Sequence, residues 1–238
     1  MTASRAEVAV LACAELFRGD GEITASPMGV IPALGAKLAR LTFEPGLLLS
    51  DGEAFLLDAD GQVEGWQPFK KVLDAVVPSG RRHVVMGASQ LDRHGNQNIS
   101  AIGDHARPSR QLLGVRGAPG NTVNHRTSYW VPRHSRRVFV PSVDVVCGVG
   151  YDHAAGSRFH DVHRVVTNLG VLDFGTPQRS MRLVSVHPGV DVDEVVANTG
   201  FELDTSSVAL TRTPEPEELR LIREVLDPGG TREREVPG

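Results

Sequence analysis

Three segments of the chain carry residues whose types and spacing could do chemistry. The first is a turn in which Ser50, Asp51 and Gly52 follow the apolar run Leu47–Leu49. A polar residue at the end of a strand lies at the carboxyl edge of an α/β sheet, where such proteins build their sites. The glycine allows a backbone bend that aims the preceding side chain into the crevice. An ordinary junction between a strand and a loop is the alternative interpretation of these residues.

The second segment is a glycine-rich loop with the sequence GVRGAPGN at residues 114–121. Its glycines, Gly114, Gly117 and Gly120, allow backbone N–H groups to approach a ligand closely. Such donors suit a thioester oxygen that becomes an oxyanion, or a phosphate. The spacing of the glycines matches neither a P-loop nor the dinucleotide-binding pattern GxGxxG, and a flexible structural loop is the alternative.

The third segment, residues 87–92, is followed by Asn96, and Asx-type turns explain most of it. Further along the chain, His160 and His163 have the spacing HxxH. The β-branched residues at 165–166 favour a strand there, and on a strand the two imidazoles point to opposite faces. We therefore expect no metal site, and the sequence alone assigns neither histidine a role.

The numbers of charged residues and cysteines argue against some binding partners and indicate a cellular compartment. Lys and Arg number 25 against 29 Asp and Glu, which gives a net charge of −4. Non-specific binding to nucleic acid or to an anionic membrane needs a basic excess, so neither partner is expected. Cys13 and Cys147 fall in apolar segments and indicate buried thiols in a reducing compartment. Because no secretory signal and no apolar run of about 18 residues is found, we expect a cytoplasmic protein.

Predicted helices and strands alternate along the chain. A capping box at Ser4–Glu7 opens the first helix. The apolar run 143–149, broken only by Asp144, suits a strand covered on both faces and hence a layered α/β sheet. We predict one domain over residues 1–230 and a loose, charged tail over 231–238. Later helices are predicted at 31–41, 67–77 and 214–226, and strands at 47–50, 82–86, 99–102, 128–131, 137–140, 143–149, 162–167, 171–174 and 181–186.

Six segments, in their order and spacing, resemble the beta subunit of class I CoA-transferases, particularly the glutaconate CoA-transferase kind. They are residues 35–40, 47–52, 87–104, 114–121, 198–204 and 221–229, so the likeness extends over nearly the whole chain. The resemblance implies an open, layered α/β/α sheet and a partner alpha subunit of similar fold in an α2β2 heterotetramer. It implies an acyl-CoA substrate, with coenzyme A as part of that substrate and with no other cofactor and no metal. Ser50 takes the catalytic position, and the residues implied at the substrate are Gly52, Asn96, Arg116, Gly117, Gly120 and Asn121.

The chain departs from this family at the catalytic position. In the family, a glutamate two residues before the glycine attacks the thioester and carries first the acyl group and then CoA. With Gly52 fixing the register, that position is Ser50, and a hydroxyl forms neither the mixed anhydride nor the glutamyl thioester of the transfer reaction. Adopting Asp51 or Glu53 instead shifts the register by one or three residues. Arg116 also stands where a glycine is expected, which places a cation beside the acyl-CoA groove.

Loss of the nucleophile with retention of the CoA-binding segments indicates that water attacks the substrate. Within the wider family, the chain resembles the beta chain of actinobacterial hydrolases of cholesterol catabolism, which open the last steroid-derived ring of a cyclic β-oxo acyl-CoA. In this interpretation a carboxylate of the alpha chain is the general base, and Ser50 positions the water or leaves room for the ring. Backbone donors near Gly117 and Gly120 stabilise the enolate oxygen. A true CoA-transferase and a non-catalytic scaffold subunit are the alternatives.

Overall fold

The computed structural model of the chain describes residues 2–51, 55–58, 60–66 and 79–236. The helices in these ranges are α1 (Arg5–Ala14), α2 (Val30–Thr42), α3 (Ala118–Asn124), α4 (Val192–Ala197), α5 (Pro216–Arg220) and α6 (Arg232–Glu235). A 3-10 turn at Glu15–Phe17 follows α1, and a π-helical segment at Leu221–Leu226 follows α5. The strands are β1 (Thr24–Pro27), β2 (Leu48–Ser50), β3 (Phe55–Leu57), β4 (Val63–Trp66), β5 (Arg82–Gly87), β6 (Gln90–Leu91), β7 (Gln97–Asn98), β8 (Ala101–Ile102), β9 (Arg110–Gln111), β10 (Arg126–Val131), β11 (Asp161–Thr167), β12 (Gly170–Asp173), β13 (Arg182–Val186) and β14 (Ala209–Leu210).

Ten of these strands form one open sheet whose middle strands are parallel. Among the described residues its order is β14-β13-β12-β11-β10-β5-β1-β2-β3-β4. The strands from β11 to β2 run parallel, whereas β3 and β4 on one side and β12 and β13 on the other pair antiparallel. The carboxyl ends of β1, β2 and β5 therefore meet at one edge, where α/β proteins place their ligands. The predicted open α/β sheet is confirmed.

Each face of the sheet has its own apolar core. On one face, α1 and α2 pack with the strand residues Ala25, Leu49 and Val85. On the opposite face, Tyr129 packs in a second core that includes Val195 of α4. Two cores arise because consecutive strand residues point to opposite faces, so that a buried strand needs apolar neighbours on both sides.

Helix α1 begins where the sequence predicts and is buried along its length. Ser4 Oγ accepts a hydrogen bond from the Glu7 N–H at 3.2 Å, and the Glu7 carboxylate accepts one from the Ser4 N–H at 2.9 Å. These two bonds are the predicted capping box. Every residue from Ala6 to Ala14 is buried. Helix α1 packs directly against α2, and the two backbones come close together at Gly35 of α2. A side chain at Gly35 would collide with α1.

Replacing Gly35 by alanine is expected to lower the free energy of unfolding by about 1–3 kcal/mol. A Cβ atom at Gly35 would lie 2.7 Å from Cys13 Cβ and 2.8 Å from the Ala14 nitrogen, so α1 and α2 would have to move apart. Thermal unfolding measures the effect. Gly229→Ala is the matched control, because a Cβ at Gly229 meets nothing within 4 Å. Equal losses in the two variants would contradict the close packing.

Two of the predicted strands do not form. Residues 137–140 and 143–149 adopt turns, bends and isolated bridges. Val146 is 43% exposed, and the Cys147 N–H donates to the Gln97 carbonyl at 2.8 Å in an isolated contact with β7. The prediction of a strand covered on both faces was wrong because this apolar run lies in a loop whose backbone pairs, among the described strands, only with the short strand β7. The helix predicted at 67–77 lies outside the described residues.

The predicted loose tail, residues 231–238, is instead folded back onto the domain as far as Val236. Arg232 is 8% exposed, and its Nη2 donates to Glu7 Oε1 at 2.9 Å. Glu235 Oε2 accepts a backbone N–H from the first turn of α2 at 2.9 Å, and Val236 is 1% exposed. The prediction was wrong here because the charged residues find partners in the first two helices. The last two residues lie outside the described part of the chain.

Both cysteines are free and buried, as the sequence predicts. Burial raises the pKa of the Cys13 thiol well above its ordinary value, so that this thiol stays protonated at neutral pH. Within the described ranges, no helix combines the length and the apolar character that crossing a bilayer requires.

Candidate active site

Ser50 is the last residue of β2, at the carboxyl edge of the sheet. Ala25 of β1 lies opposite Leu49 of β2 in a parallel pair, so the next residues, Ser26 and Ser50, lie side by side on the same face. Ser50 Oγ lies 3.1 Å from Ser26 Oγ and donates to the Ala25 carbonyl at 2.9 Å. Neither of these two partners is a base that could take the proton of a nucleophilic hydroxyl.

A buried arginine connects Ser50 to the glycine-rich loop. Arg82, at the start of β5, is 6% exposed. Its Nε donates to Ser26 Oγ at 2.7 Å, and its Nη1 donates to Asn121 Oδ1 at 3.1 Å. Burial lowers the pKa of Arg82 to about 10, which leaves the guanidinium protonated at neutral pH. The structure thus links Ser50 and Asn121, both expected from the sequence, through Ser26 and Arg82, which the sequence did not single out.

A cleft of about 200 Å³ opens beside Ser50, between the end of β2 and α2. Its walls are mostly apolar and include Leu49, Leu57 and Ala33. Lys37 of α2 adds a cation to this lining. A concave, mainly apolar surface with a few polar groups is typical of a small-molecule site. This cleft suits a small apolar part of a ligand that has a polar end.

The carboxylate next to Ser50 is bound within its own turn. Asp51 Oδ1 accepts the Phe55 N–H at 3.0 Å, and the Asp51 N–H donates to the Phe55 carbonyl at 3.1 Å. Asp51 therefore shapes the turn between β2 and β3 while it also lines the cleft. Gly52, predicted at the substrate, and Glu53, the other candidate carboxylate, lie outside the described residues.

The glycine-rich loop leads into α3, and Gly117 is the N-cap residue of this helix. Arg116 is exposed and has a φ of 48°, in the left-handed region that favours glycine. The arginine therefore keeps the backbone conformation of the glycine that the resemblance places here. Gly117 is exposed and Gly120 half-buried, so both are accessible from the surface, whereas Asn121 is buried beneath them.

Asn96 lies in a buried network and does not line the cleft. Its Nδ2 donates to Asp92 at 2.9 Å and to Asp152 at 2.8 Å, and its Oδ1 accepts the Gly150 N–H at 2.7 Å. Burial is the main cause of the raised pKa of Asp92, although the hydrogen bonds from Asn96 lower it. The structure thus gives Asn96 a role in ordering loops and does not bring it together with Ser50.

The two histidines of the HxxH motif contact different groups. His160 Nε2 donates to the Val149 carbonyl at 2.9 Å, and its ring stands edge-on to Tyr151. His163 lies on β11 with its ring 5.9 Å from that of His83. Burial is the first cause that lowers the pKa of His163, to about 4. Each histidine therefore takes part in its own packing contact.

A second cluster has the connectivity of a serine-hydrolase triad but is enclosed. His83 Nδ1 lies 2.6 Å from Asp20 Oδ2, and its Nε2 lies 2.9 Å from Ser128 Oγ. His83 and Ser128 are 0% exposed, and the Asp20 side chain is 3% exposed and also pairs with Arg126 at 2.9 Å. A nucleophile has to reach its substrate, so this cluster is a buried cross-link between β5, β10 and the loop before β1.

Comparison with known proteins identifies the family. Residues 75–198 match the family described as Coenzyme A transferase. The chain is 57% identical over 244 residues to the cholesterol ring-cleaving hydrolase IpdB subunit of Rhodococcus jostii (strain RHA1), which covers 98% of this chain and 96% of that relative. The crystal structure of Rhodococcus jostii RHA1 IpdAB matches with a TM-score of 0.94 at 56% identity and covers 100% of both chains. Glutaconate coenzyme A-transferase from Acidaminococcus fermentans matches with a TM-score of 0.81 at 23% identity and 96% coverage of both chains, which shows a shared fold alone. The chain belongs to the coenzyme A transferase family, on the branch of the cholesterol ring-cleaving hydrolase IpdB subunits.

Proposed function

We propose that the chain is the beta subunit of a hydrolase of cholesterol catabolism that opens the last steroid-derived ring of a cyclic β-oxo enoyl-CoA. The relative that is 57% identical is named for cholesterol ring cleavage. The observation that carries the proposal is the Ser50 hydroxyl, which donates its proton to a backbone carbonyl at the strand end where the resemblance places a nucleophilic carboxylate. Without that carboxylate, water is the attacking group.

The proposed reaction adds one water and breaks one carbon–carbon bond. Water attacks the β-oxo carbon of the ring, and a carboxylate of the alpha subunit removes its proton. The bond between the β-oxo carbon and the α-carbon then breaks, and its electron pair becomes an enolate of the thioester. Donors of the loop near Gly117 and Gly120 stabilise the enolate oxygen, where one well-placed donor contributes about 3 kcal/mol. A proton returns to the α-carbon, and the product is a ring-opened acid that still carries CoA.

The proposal includes an alpha subunit of similar fold. The solved relative is titled IpdAB, and the resemblance to the transferases implies an α2β2 heterotetramer with the site between subunits. Val63 and Trp66 on the β3–β4 hairpin are 60% and 68% exposed, which supports a protein contact at this end of the sheet. Coenzyme A enters as part of the substrate, with no further cofactor. The free cysteines support a reducing compartment, and we place the enzyme in the cytoplasm.

The test supplies a cyclic β-oxo acyl-CoA to the chain purified with its alpha subunit. We expect a product that is heavier by one water and still carries CoA, identified by liquid chromatography and mass spectrometry. New acyl-CoA formed on addition of acetate or succinate would instead support a CoA-transferase. An unchanged thioester in the presence of a stable complex would support a scaffold subunit.

A further inference from the structure

We propose that three arginines of the loop after β10 bind the phosphate groups in the coenzyme A part of the substrate. The loop covers residues 132–137 and carries Arg133, Arg136 and Arg137, all of which are exposed. This inference rests on the proposed function, which supplies a CoA thioester, and it adds a binding site away from Ser50. The planar fork of a guanidinium matches phosphate oxygens and can bind them through two parallel hydrogen bonds.

The three guanidinium groups have no acidic partner among the described residues. Neither a hydrogen bond nor an ion pair joins any of them to the part of the chain that the structure describes. Other exposed arginines do pair, since Arg18 donates to Glu15 at 2.7 Å and Arg220 donates to Glu217 at 2.7 Å. The chain has 29 Asp and Glu against 25 Lys and Arg, yet its carboxylates leave this loop positive. Such a local excess of positive charge indicates an anion from outside the chain.

The buried residue His134 fixes the backbone of this loop. Its N–H donates to Asn168 Oδ1 at 2.7 Å, and its ring nitrogens lie 3.3 Å from Thr167 Oγ1 and 3.1 Å from Thr199 Oγ1. The imidazole also stacks on Phe139, with 3.9 Å between the ring centroids. The backbone that carries the arginines is therefore in place before a ligand arrives, which reduces the ordering cost of binding.

The loop lies at the same edge of the sheet as Ser50. Strands β10, β5, β1 and β2 are neighbours and run parallel, so the segment after β10 begins at the carboxyl edge. In register, Thr127 of β10 lies level with Ser50 at three strand spacings, which is about 14 Å. The strand continues to Val131, and its last four residues add about 13 Å along the sheet. An extended pantetheine arm is long enough to cover this separation, so a thioester beside Ser50 can bring the phosphates of CoA to the loop.

The charge of the loop matches the charge of this ligand. CoA carries a 3′-phosphate and a diphosphate, and a phosphate monoester alone has a charge of about −1.5 to −2 at neutral pH. Three guanidinium groups can compensate such a group with charge-assisted hydrogen bonds, which are stronger than neutral ones. An acidic surface of the alpha subunit is the other anion that this loop could meet, and ligands with and without phosphate distinguish the two.

Replacing the three arginines together by glutamine in the complex with the alpha subunit tests the proposal. We expect Arg133→Gln/Arg136→Gln/Arg137→Gln to weaken CoA binding at least about 30-fold, measured as Kd by isothermal titration calorimetry. The pantetheine thioester of the same cyclic acid has no phosphate, so its kcat/KM should differ by less than about twofold between the wild type and this variant. Replacement of all three by lysine keeps the charges without the fork and should give an intermediate Kd.

A control variant removes the same charge elsewhere and should bind CoA as tightly as the wild type. It is Arg18→Gln/Arg81→Gln/Arg220→Gln. Arg18 and Arg81 precede β1 and β5 at the opposite edge of the sheet, and Arg220 adjoins the segment that packs with α1 and α2.

Four results would overturn the phosphate site. They are an unchanged Kd for CoA in the variant without the three loop arginines, an equal loss in the control variant, an equal loss of kcat/KM with the pantetheine thioester, and a loop variant that no longer purifies with the alpha subunit. The last result would assign the arginines to the subunit contact. A wild-type complex that binds CoA through these arginines but opens no ring would overturn the proposed function and leave the phosphate site in place.

Discussion

Replacing Ser50 by glutamate is expected to slow ring opening by at least about 100-fold, which raises the barrier by about 2.7 kcal/mol. The Ser50 hydroxyl donates to the Ala25 carbonyl at 2.9 Å, and a carboxylate has no proton to donate there. The longer, charged side chain therefore has to turn away from that carbonyl, out beyond the end of β2. In that position it occupies the space of the attacking water.

The same substitution is expected to attach CoA to the chain. A carboxylate at this strand end can attack the thioester and expel the CoA thiolate, which leaves an acyl anhydride on the protein. Attack of the thiolate on the glutamyl carbonyl then releases the free acid and forms a glutamyl thioester. The intact mass of the chain after incubation with the cyclic acyl-CoA measures this adduct.

Ser50→Gln is the matched control for both expectations. Glutamine has the size of glutamate without a nucleophilic oxygen, so this variant should also lose ring opening but gain no adduct. Wild-type hydrolysis in Ser50→Glu would contradict the location of the attacking water beside Ser50. An adduct of equal mass in both variants would show that another residue carries the CoA.

The parts of the fold that the sequence predicts correctly are set by local patterns. The capping box of α1 needs only Ser4 and Glu7, three residues apart, and both of its hydrogen bonds form. The strand that ends at Ser50 follows from a short apolar run and the turn residues after it. Such features depend on neighbours within one helical turn or one strand, so a single sequence is enough to locate them.

The parts that the sequence misses depend on residues far apart in the chain. Arg232 pairs with Glu7 across 225 residues, and this contact turns a charged tail into a docked helix. Residues 143–149 have the composition of a buried strand, yet their backbone makes only isolated contacts with Gln97 among the described residues and joins no strand of the large sheet. Composition alone carries no information on which partner a segment meets.

The candidate site also combines residues that local sequence patterns locate with residues that only the fold brings together. Ser50 is found by its register to a following glycine, and the φ of 48° at Arg116 fits the glycine expected there. Ser26 and Arg82, 56 residues apart, carry no local signature, and only the register of β1, β2 and β5 brings them to Ser50. The substrate-binding roles of the loop residues stay predictions, because sequence and fold give their positions without a ligand.

Removing the Glu7 carboxylate is expected to lower the free energy of unfolding by about 3 kcal/mol at neutral pH. Glu7 is 1% exposed and accepts from Arg223 Nε at 2.7 Å and from Arg232 Nη2 at 2.9 Å. Burial raises the pKa of Glu7, but the hydrogen bonds from Arg223, from the Ser4 N–H and from Arg232 outweigh it and lower the pKa from 4.5 to about 2. Glu7→Gln loses this charge and leaves Arg232 buried without it, so Tm should fall by about 6–12 °C.

The effect of Glu7→Gln is expected to depend on pH with a definite sign. Because the pKa of Glu7 is lower in the folded chain, its contribution is complete above the ordinary value of 4.5 and is lost as the pH falls towards about 2. The Tm difference between wild type and Glu7→Gln should therefore shrink between about pH 5 and pH 3, at constant concentration of the complex. Glu217→Gln is the matched control, since Glu217 is 66% exposed in its pair with Arg220 and should leave Tm nearly unchanged at every pH. A Tm difference that stays constant with pH would show that Glu7 acts through packing, and then the two arginines would be stabilised by other groups.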